Sequence, residues 1–173
     1  MNDTVKIRSF RSGLKPMVGF GDPVFAPNQS AAAAGQRTAT VKIAATTRAY
    51  SDYWHGGSVD RKRLAEALSP LPDSAEELKA VAAKLGASSS DIYLGRNATE
   101  ENVKRLPLSD YRVVYFATHG LVAGDVEGLG EPSLAFTLPN EPSELDDGLL
   151  TASEVAQLKL DADWVVLLSL IHI

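Results

Sequence analysis

The stretch 113–120 reads Val-Val-Tyr-Phe-Ala-Thr-His-Gly, a β-branched and aromatic run that ends at a histidine and a glycine. A short apolar run bounded by glycine is typical of a buried strand in a parallel sheet. In open α/β sheets, ligands and catalytic groups collect beyond the carboxyl ends of the strands. His119 falls at such an end, so it is the first candidate functional residue of the chain.

The regions on either side of this stretch predict further strands and helices. Short apolar runs predict strands at 17–20, 41–43, 92–94, 134–136 and 164–168, and helices are predicted over 60–68, 74–85, 99–106 and 151–158. Ser74 and Thr151 each stand three residues before a glutamate, which is the capping-box spacing. Strands alternate with helices from residue 87 onward, which predicts a mostly parallel sheet with crossover helices.

The composition limits the possible partners. The chain has 173 residues, of which 45% are hydrophobic and 23% charged, a balance typical of one globular domain. Its formal charge of −5 argues against nucleic acid as a partner. No apolar run approaches the ~20 residues that span a bilayer, and no signal peptide begins the chain. We therefore expect a cytoplasmic protein with no membrane partner.

The sequence predicts no cofactor and no metal. The segment 19–21, Gly-Phe-Gly, begins like a dinucleotide-binding loop, but Pro23 and Val24 stand where a helix start and a third glycine are needed. The chain has no cysteine for a thiolate metal site and no Gly-x-Ser-x-Gly nucleophile elbow. Its His, Asp and Glu residues do not show the spacing of a zinc or calcium site.

His119 is one of three histidines. His55 lies in a loop with no carboxylate pattern around it, and His172 lies in the tail, so we assign neither of them a function. A histidine on a core strand is more often a buried structural residue, and this is the alternative for His119. Its place at a strand end, next to a glycine, favours catalysis.

Six segments, in family order, resemble the CHAT domain, a caspase-like peptidase domain of the caspase/separase superfamily. They are 18–25 (Val-Gly-Phe-Gly-Asp-Pro-Val-Phe), 71–78 (Leu-Pro-Asp-Ser-Ala-Glu-Glu-Leu), 93–100 (with Tyr-Leu-Gly and Ala-Thr-Glu), 115–120 (Tyr-Phe-Ala-Thr-His-Gly), 146–155 (Asp-Asp-Gly-Leu-Leu-Thr-Ala-Ser-Glu-Val) and 160–167 (Leu-Asp-Ala-Asp-Trp-Val-Val-Leu). The resemblance implies a three-layer, caspase-like α/β fold with a mostly parallel central sheet flanked by helices, incomplete at both ends.

The resemblance also implies a Cys–His dyad, in which a thiolate attacks a peptide carbonyl and an imidazole transfers the protons. His119 stands at the position of the family's histidine. The amide of Gly120 is the candidate oxyanion donor, the alternative being an ordinary turn amide. The family's cysteine ends the last strand, and here Leu170 stands at that position, or Ile171 if the register shifts by one. Leucine has no nucleophilic atom, so the resemblance implies a cysteine endopeptidase domain that is inactive in this chain.

We expect three segments along the chain. Residues 1–16 are interpreted as the remnant of a missing N-terminal part, residues 17–167 as a partial CHAT domain, and residues 168–173 as a non-native tail that resembles translated adapter sequence. Tetratricopeptide repeats often precede the domain in this family. The expected partners of the parent protein, a bacterial peptidase, are therefore those repeats and a protein or peptide substrate. Loss of N-terminal strands predicts an exposed sheet edge.

Acidic residues in the two loops that follow His119 and the strand at 134–136 could receive a basic side chain of a peptide. They are Asp125, Glu127, Glu131, Asp146 and Asp147. Of these, Asp146 and Asp147 are the candidate substrate-binding residues. The alternative is that all five are solvated loop carboxylates, with the Asp-Asp-Gly of 146–148 serving as a turn.

Two other functions stay open. A non-catalytic pseudo-peptidase would use the same sheet as a protein-interaction module, and a genuine leucine at position 170 would favour it. A small-molecule-binding α/β domain is the third possibility, which a deep closed pocket away from His119 would favour.

Overall fold

The computed structural model describes residues 13–25, 54–55, 58–59, 64–65, 68–122 and 131–169. In chain order the strands and helices are β1 (Lys15–Gly21), β2 (Trp54–His55), β3 (Ser58–Val59), α1 (Pro72–Leu85), β4 (Ile92–Leu94), α2 (Glu100–Arg105), β5 (Tyr111–Thr118), β6 (Gly120–Leu121), β7 (Ser133–Ala135), β8 (Leu149–Thr151), α3 (Ala152–Val155) and β9 (Trp164–Ser169). Single 3₁₀ turns cover Ser89–Asp91, Gly95–Asn97 and Leu108–Asp110. None of the helices in the described segments is long and apolar enough to cross a membrane.

A four-stranded sheet forms the centre of the molecule. Its strands lie in the order β4, β1, β5, β9, and every neighbouring pair is parallel. α1 follows β1 and α2 follows β4, so helices provide the crossovers that parallel strands require. The predicted mixed α/β fold with a parallel central sheet is confirmed, and it is consistent with a caspase-like architecture.

Successive residues of β1 face opposite sides of this sheet. Met17 packs with Leu78 of α1, whereas Val18 packs with Val103 of α2. α1 lies very close to β1. A Cβ atom added at Gly19 would stand only 2.8 Å from Leu78 Cδ2. β1 is therefore covered on both faces, which explains why it is an apolar run without alternation.

Four aromatic rings pack near the carboxyl end of the sheet. Phe20 stacks on Tyr93 and Phe116 with centroids 5.2 Å and 5.5 Å apart, and Phe136 meets it edge-on at 6.1 Å. Aromatic pairs of this kind contribute about 0.5–1.5 kcal/mol each beyond their buried area. The cluster holds three neighbouring strands together just below the point where His119 emerges.

The sequence did not predict a second sheet, which begins directly after His119. β7 runs antiparallel to its two neighbours, β6 and β8, with Gly120 opposite Leu134 and Leu134 opposite Leu150. Strands of two or three residues are too short to show an alternating pattern, so periodicity gives no signal for them.

The start of α1 corrects one sequence prediction. The helix begins at Pro72, whose fixed φ suits the first helical position, and its N-cap is Leu71. The predicted capping box of Ser74 and Glu77 is wrong, because Ser74 lies inside the helix and its Oγ donates to Leu71 O (2.7 Å).

The other two predicted caps are confirmed. The Thr99 side chain accepts a hydrogen bond from Asn102 N at the start of α2. Thr151 and Glu154 form a complete capping box at the start of α3. Both caps depend on residues within one helical turn, which the sequence displays directly.

Some predicted elements lie partly or wholly outside the described residues. The strand at 41–43 is one of them. Of the helix predicted over 60–68, residues 64–65 are helical and Leu68 N donates to Leu64 O (3.1 Å). His55, predicted in a loop, lies in the short strand β2, which pairs with β3. β1 begins at Lys15 and β9 reaches Ser169, so these strands extend beyond the predicted boundaries at 16 and 168.

Among the described strands, β9 lies at the edge of the parallel sheet, and its apolar side chains are exposed. Trp164 is 70% exposed and Leu167 is 60% exposed, and Val165 and Leu168 are also exposed. Such an edge presents unpaired backbone groups together with apolar surface. The sequence predicted an exposed edge from the loss of N-terminal strands, whereas this one is the last strand of the chain.

A trio of polar side chains closes the amino end of the sheet. Asp91 Oδ1 accepts from Lys15 Nζ (3.0 Å) and from the Tyr111 hydroxyl (2.8 Å), and Lys15 Nζ also donates to that hydroxyl (3.1 Å). Burial is the main cause that raises the pKa of Tyr111 above its usual range. The hydrogen bond from Lys15 lowers this pKa, and the hydrogen bond to Asp91 raises it. The trio links β1 to the start of β5.

Candidate functional site

His119 lies immediately beyond the carboxyl end of β5, and its ring is held on two sides. Nε2 lies 2.8 Å from the carbonyl oxygen of Ser69. The ring of Phe25 packs against the imidazole with centroids 5.6 Å apart. A carbonyl oxygen only accepts, so Nε2 carries the proton, and in the neutral ring Nδ1 then holds the lone pair.

The imidazole ring of His119 is buried close to the protein surface. His119 is 2% exposed, whereas Ser69 and Pro70, which cover it, are exposed. An imidazole in this position has a fixed orientation and little contact with bulk water. A fixed orientation suits a group that moves a proton in a defined direction, whereas the burial also fits the alternative of a structural histidine. The catalytic role of His119 stays a prediction.

The backbone around His119 is clamped to β7. The hydroxyl of Thr118, itself buried, donates to Ala135 O, and Ala135 N donates to His119 O (2.9 Å). Two successive residues of the chain are therefore bound to the same residue of the neighbouring strand. This arrangement fixes the point at which the chain leaves the parallel sheet.

The last strand ends beside His119. β9 is paired with β5 in parallel, and Ser169 stands opposite Thr118, the residue before His119. The predicted nucleophile position, Leu170, follows Ser169 directly and lies outside the described residues, as does Ile171. Thr118 and Ser169, the residues that precede positions 119 and 170 in the sequence, are thus neighbours at one edge of the sheet.

Gly120 stands in β6, opposite Leu134. Ala135 N donates to His119 O, so His119 and Ala135 form a hydrogen-bonded pair of the antiparallel ladder. Hydrogen-bonded and non-hydrogen-bonded pairs alternate along such a ladder, so the next pair, Gly120 and Leu134, directs its amides away from the partner strand. The N–H of Gly120 therefore points away from β7. Its role as an oxyanion donor stays a prediction.

Asp146 and Asp147 lie in a turn that precedes β8. Asp147 Oδ1 accepts from Leu149 N (2.8 Å), and Asp146 N donates to Ser143 Oγ (3.1 Å). β8 is separated from the His119 segment by β7. These contacts are those of turn residues, but Asp146 is only 8% exposed and so is not the solvated carboxylate of the alternative interpretation. A substrate-binding role for the pair stays a prediction.

A buried ion-pair network anchors the same turn. Glu100 is 1% exposed, and its Oε2 accepts from the N–H groups of Asp147 (2.8 Å) and Gly148 (2.9 Å). Lys104 Nζ lies 2.5 Å from Glu100 Oε1 and 2.7 Å from Glu154 Oε1. Burial raises the pKa of Glu100, and Lys104 offsets part of that effect. Burial would also raise the pKa of Glu154, but hydrogen bonds, chiefly from Lys104, lower it overall.

The remaining acidic candidates and histidines are not brought to His119 by any contact described here. Glu131 accepts from Ser153 N (2.6 Å) and Ser153 Oγ (2.7 Å), and it therefore binds the start of α3. Asp125, Glu127 and His172 lie outside the described residues. Within the described ranges, no group of three or more His, Asp or Glu side chains could hold a metal ion.

Three residues of the site were not assigned a role by sequence reasoning. Ser69 acts through its backbone carbonyl, which has no sequence signature. Phe25 and Asp22 belong to the Gly-Phe-Gly-Asp-Pro-Val-Phe segment, which carried only the family resemblance. Asp22 follows β1 directly, and its φ of 49° is the only positive value among the non-glycine residues of the described ranges.

Comparison with known proteins supplies one match. A family model described as the CHAT domain matches residues 9–170, a range that runs from before β1 to the end of β9 and includes positions 119 and 170. No curated protein and no solved structure shows significant similarity to the chain.

Proposed function

The chain belongs to the CHAT-domain family, which is associated with caspase-like cysteine peptidases, and from this premise we propose that it carries the histidine half of a Cys–His peptidase site. His119 is the general base and acid of that site, and Gly120 supplies an amide to the oxyanion. Position 170 is the nucleophile position. These 173 residues contain no cysteine, so the chain binds a peptide or protein at this site without hydrolysing it.

One observation carries the proposal. Ser169 pairs with Thr118 in adjacent parallel strands, and positions 170 and 119 are the next residues of the sequence after this pair. Neighbouring strands lie about 4.8 Å apart. A cysteine at position 170 would therefore stand beside an imidazole that Ser69 already holds in orientation.

The proton transfers follow from the ring's hydrogen bonding. Nε2 donates to Ser69 O, so Nδ1 takes the proton of a thiol at position 170. The thiolate then attacks the peptide carbonyl, the C–N bond breaks, and the imidazolium returns the proton to the leaving amine. Water hydrolyses the resulting thioester by the same route. With leucine at position 170 the first step is absent, and only binding is left.

The experiment that tests the proposal is a gain of function. We expect Leu170→Cys to cleave fluorescein-labelled denatured casein and the parent chain to leave it intact, with Leu170→Ala as the matched control. Ile171→Cys covers the alternative register. Iodoacetamide should abolish the acquired activity. If both cysteine variants fold with the parent's circular dichroism spectrum and neither cleaves casein, the proposal is wrong.

A non-catalytic interaction module is the second candidate, and the apolar surface of β9 favours it. Exposed aromatic and aliphatic side chains on an edge strand are a ready surface for another chain. If β9 mediates association, Trp164→Lys should lower the average mass measured by sedimentation at a fixed concentration. An unchanged mass would remove the support that β9 gives to this candidate.

One groove among the described residues bears on the small-molecule hypothesis. A groove of about 230 Å³ lies between α1 and β4, lined by side chains that include Ala82, Ile92 and Leu94. Small-molecule pockets usually enclose about 300–1,000 Å³ and contain a few convergent polar groups. This groove is smaller and mainly apolar.

A further inference from the structure

The segment 135–138, at the end of β7 and directly after it, is bound to two separate parts of the candidate site. Ala135 N donates to His119 O (2.9 Å), which fixes the backbone of the histidine. Three residues further along, Leu138 N donates to the carbonyl oxygen of Val24 (3.2 Å), the residue before Phe25. One short segment therefore holds the backbone of His119 and the backbone next to Phe25 relative to each other.

The buried side chain of Thr137 completes this connection. Its hydroxyl accepts from Val24 N (3.0 Å) and donates to Gly95 O (2.8 Å). The backbone N–H of Thr137 donates to Ala98 O (2.9 Å). A hydroxyl that accepts and donates at the same time joins both of its partners to its own segment. Val24 is therefore held at its N–H by Thr137 and at its carbonyl by Leu138.

Phe25 follows Val24 directly, and its ring lies against the imidazole of His119. The two ring centroids are 5.6 Å apart, and the ring planes are inclined by 51°. Phe25 is buried and belongs to the same hydrophobic cluster as Leu68, the residue before Ser69. The phenyl ring therefore lies among the segments that enclose His119.

The hydrogen bond to Ser69 leaves the imidazole part of its rotational freedom. The χ2 torsion of a histidine has a broad energy profile, so the ring turns readily about its Cβ–Cγ bond. The Ser69 carbonyl restrains the ring at one atom, Nε2. Favourable contacts between aromatic rings occur at centroid distances of about 4.5–7 Å, the range in which Phe25 and His119 lie. The phenyl ring therefore adds a restraint on the turn of the imidazole.

We propose that Phe25 and Thr137 are positioning residues of the peptidase site. The Phe25 ring keeps the imidazole of His119 in the orientation in which Nε2 donates to Ser69 O and Nδ1 keeps its lone pair. The Thr137 hydroxyl acts through Val24 and keeps the Phe25 ring in place. Neither residue takes or gives a proton. The inference rests on the proposed function and adds to it the side chains that aim the base.

The tautomer of His119 in the parent chain provides the test, because it reports how firmly Nε2 meets the Ser69 carbonyl. Nitrogen chemical shifts of the neutral imidazole give the ratio of the Nε2–H form to the Nδ1–H form, and His119→Ala identifies the resonances by their loss. We expect Phe25→Leu, which stays apolar but has no flat ring, to lower this ratio by about 2- to 10-fold. Phe25→Met covers the case in which the leucine variant fails to fold.

The hydroxyl of Thr137 is tested by the same ratio. Thr137→Val keeps the shape of the side chain and removes the hydroxyl, so it should lower the ratio by about 2- to 5-fold, a part of the Phe25 effect. Thr137→Ser restores the hydroxyl and should keep the ratio of the parent chain. Thr151→Val is the matched control, because it removes a hydroxyl that caps α3 and should leave the ratio unchanged.

Tyr93→Leu is the matched control for the loss of an aromatic ring. It removes a stacked contact of 5.2 Å with Phe20, in a strand that β1 separates from β5. It should lower the melting temperature and leave the tautomer ratio unchanged. An unchanged ratio in both Phe25 variants overturns the inference, as does an equal fall in Tyr93→Leu or a parent chain in which the Nδ1–H form predominates. A ratio that falls in the Phe25 variants and not in Thr137→Val overturns the assignment of Thr137.

Failure of the inference can be told apart from failure of the proposed function. In the Leu170→Cys background, Phe25→Leu should lower kcat for casein by about 2- to 10-fold and leave KM unchanged, because the orientation of the base matters once the substrate is bound. If Leu170→Cys cleaves casein and Phe25→Leu changes neither kcat nor the tautomer ratio, the peptidase site stands and the inference is wrong. If neither cysteine variant cleaves casein while the ratio falls as expected, the proposed function is wrong and Phe25 orients a structural histidine.

Discussion

The two ends of the parallel sheet use polar residues in opposite ways. At the amino end, Lys15, Asp91 and Tyr111 bind one another, and the trio forms a closed network. At the carboxyl end, His119 is oriented by a backbone carbonyl, and the carboxylate of Asp22, a residue with a positive φ of 49°, forms no ion pair with the described residues. The same strands, β1 and β5, carry both sets.

The difference shows which polar groups serve the fold and which are available to a ligand. Polar groups that satisfy one another contribute to stability and have no capacity left for a ligand. Groups held by backbone contacts, with a charge left unneutralised, contribute little to stability. We therefore expect substitutions at the amino end to change stability and substitutions at the carboxyl end to change binding and catalysis.

The largest expected effect separates the two ends by activity. In the Leu170→Cys background, His119→Ala should lower kcat/KM for casein by about 10²- to 10⁴-fold, because general acid–base catalysis is lost. Tyr111→Phe in the same background should stay within about threefold of its parent. If both variants lose kcat/KM equally, activity follows stability, and the two ends of the sheet do not differ in function.

The next effect separates the two ends by stability. Tyr111→Phe should lower the free energy of unfolding at pH 7 by about 1–2 kcal/mol, because a buried hydroxyl that joins Asp91 to Lys15 is lost. The folded pKa of Tyr111 lies above its usual value of about 10. Its contribution is therefore complete below pH 10 and is lost as the pH rises through the folded pKa.

Urea unfolding at several pH values measures this difference. The margin between the parent chain and Tyr111→Phe should be largest at pH 7 and should shrink above pH 10. Burial and the hydrogen bond to Glu77 raise the pKa of Tyr115 to about 12. Tyr115 is present in both proteins, so its titration cancels in the comparison. A margin that grows with pH would contradict the assignment.

The smallest effect is expected at Asp22. Asp22→Gly should change the free energy of unfolding by less than about 0.5 kcal/mol, because aspartate already adopts a positive φ more readily than most residues and glycine has more freedom to lose on folding. Urea unfolding measures the difference. A loss of more than about 1 kcal/mol would place Asp22 with the structural network instead.

Much of the central fold could be predicted from the sequence. β1, β4, β5, β7 and β9 are short apolar runs that the sequence displays directly, and in β1 and β5 most of these side chains are buried. Thr99 and Thr151 were identified as caps because capping depends on residues within one turn. Ser74 was misassigned because Pro72 starts the helix earlier and the Ser74 hydroxyl bonds to Leu71 and Asp22, contacts that no local pattern reveals.

The site was predictable only in part. The strand-end rule placed His119 at the functional edge and the last strand beside it. The carbonyl of Ser69 could not be found, because every residue has one. Asp22 could not be separated from the other acidic residues, because its positive φ and the lack of an ion pair are properties of the folded chain.

The adjacency of positions 119 and 170 is the central claim, and a single introduced thiol measures it. The chain has no cysteine, so Leu170→Cys carries one reactive group. The pH dependence of its alkylation by iodoacetamide should have a midpoint below the ordinary thiol value of about 8.5, because a neighbouring imidazolium stabilises the thiolate. His119→Ala in this background should return the midpoint to about 8.5. Equal midpoints in the two variants would contradict the account.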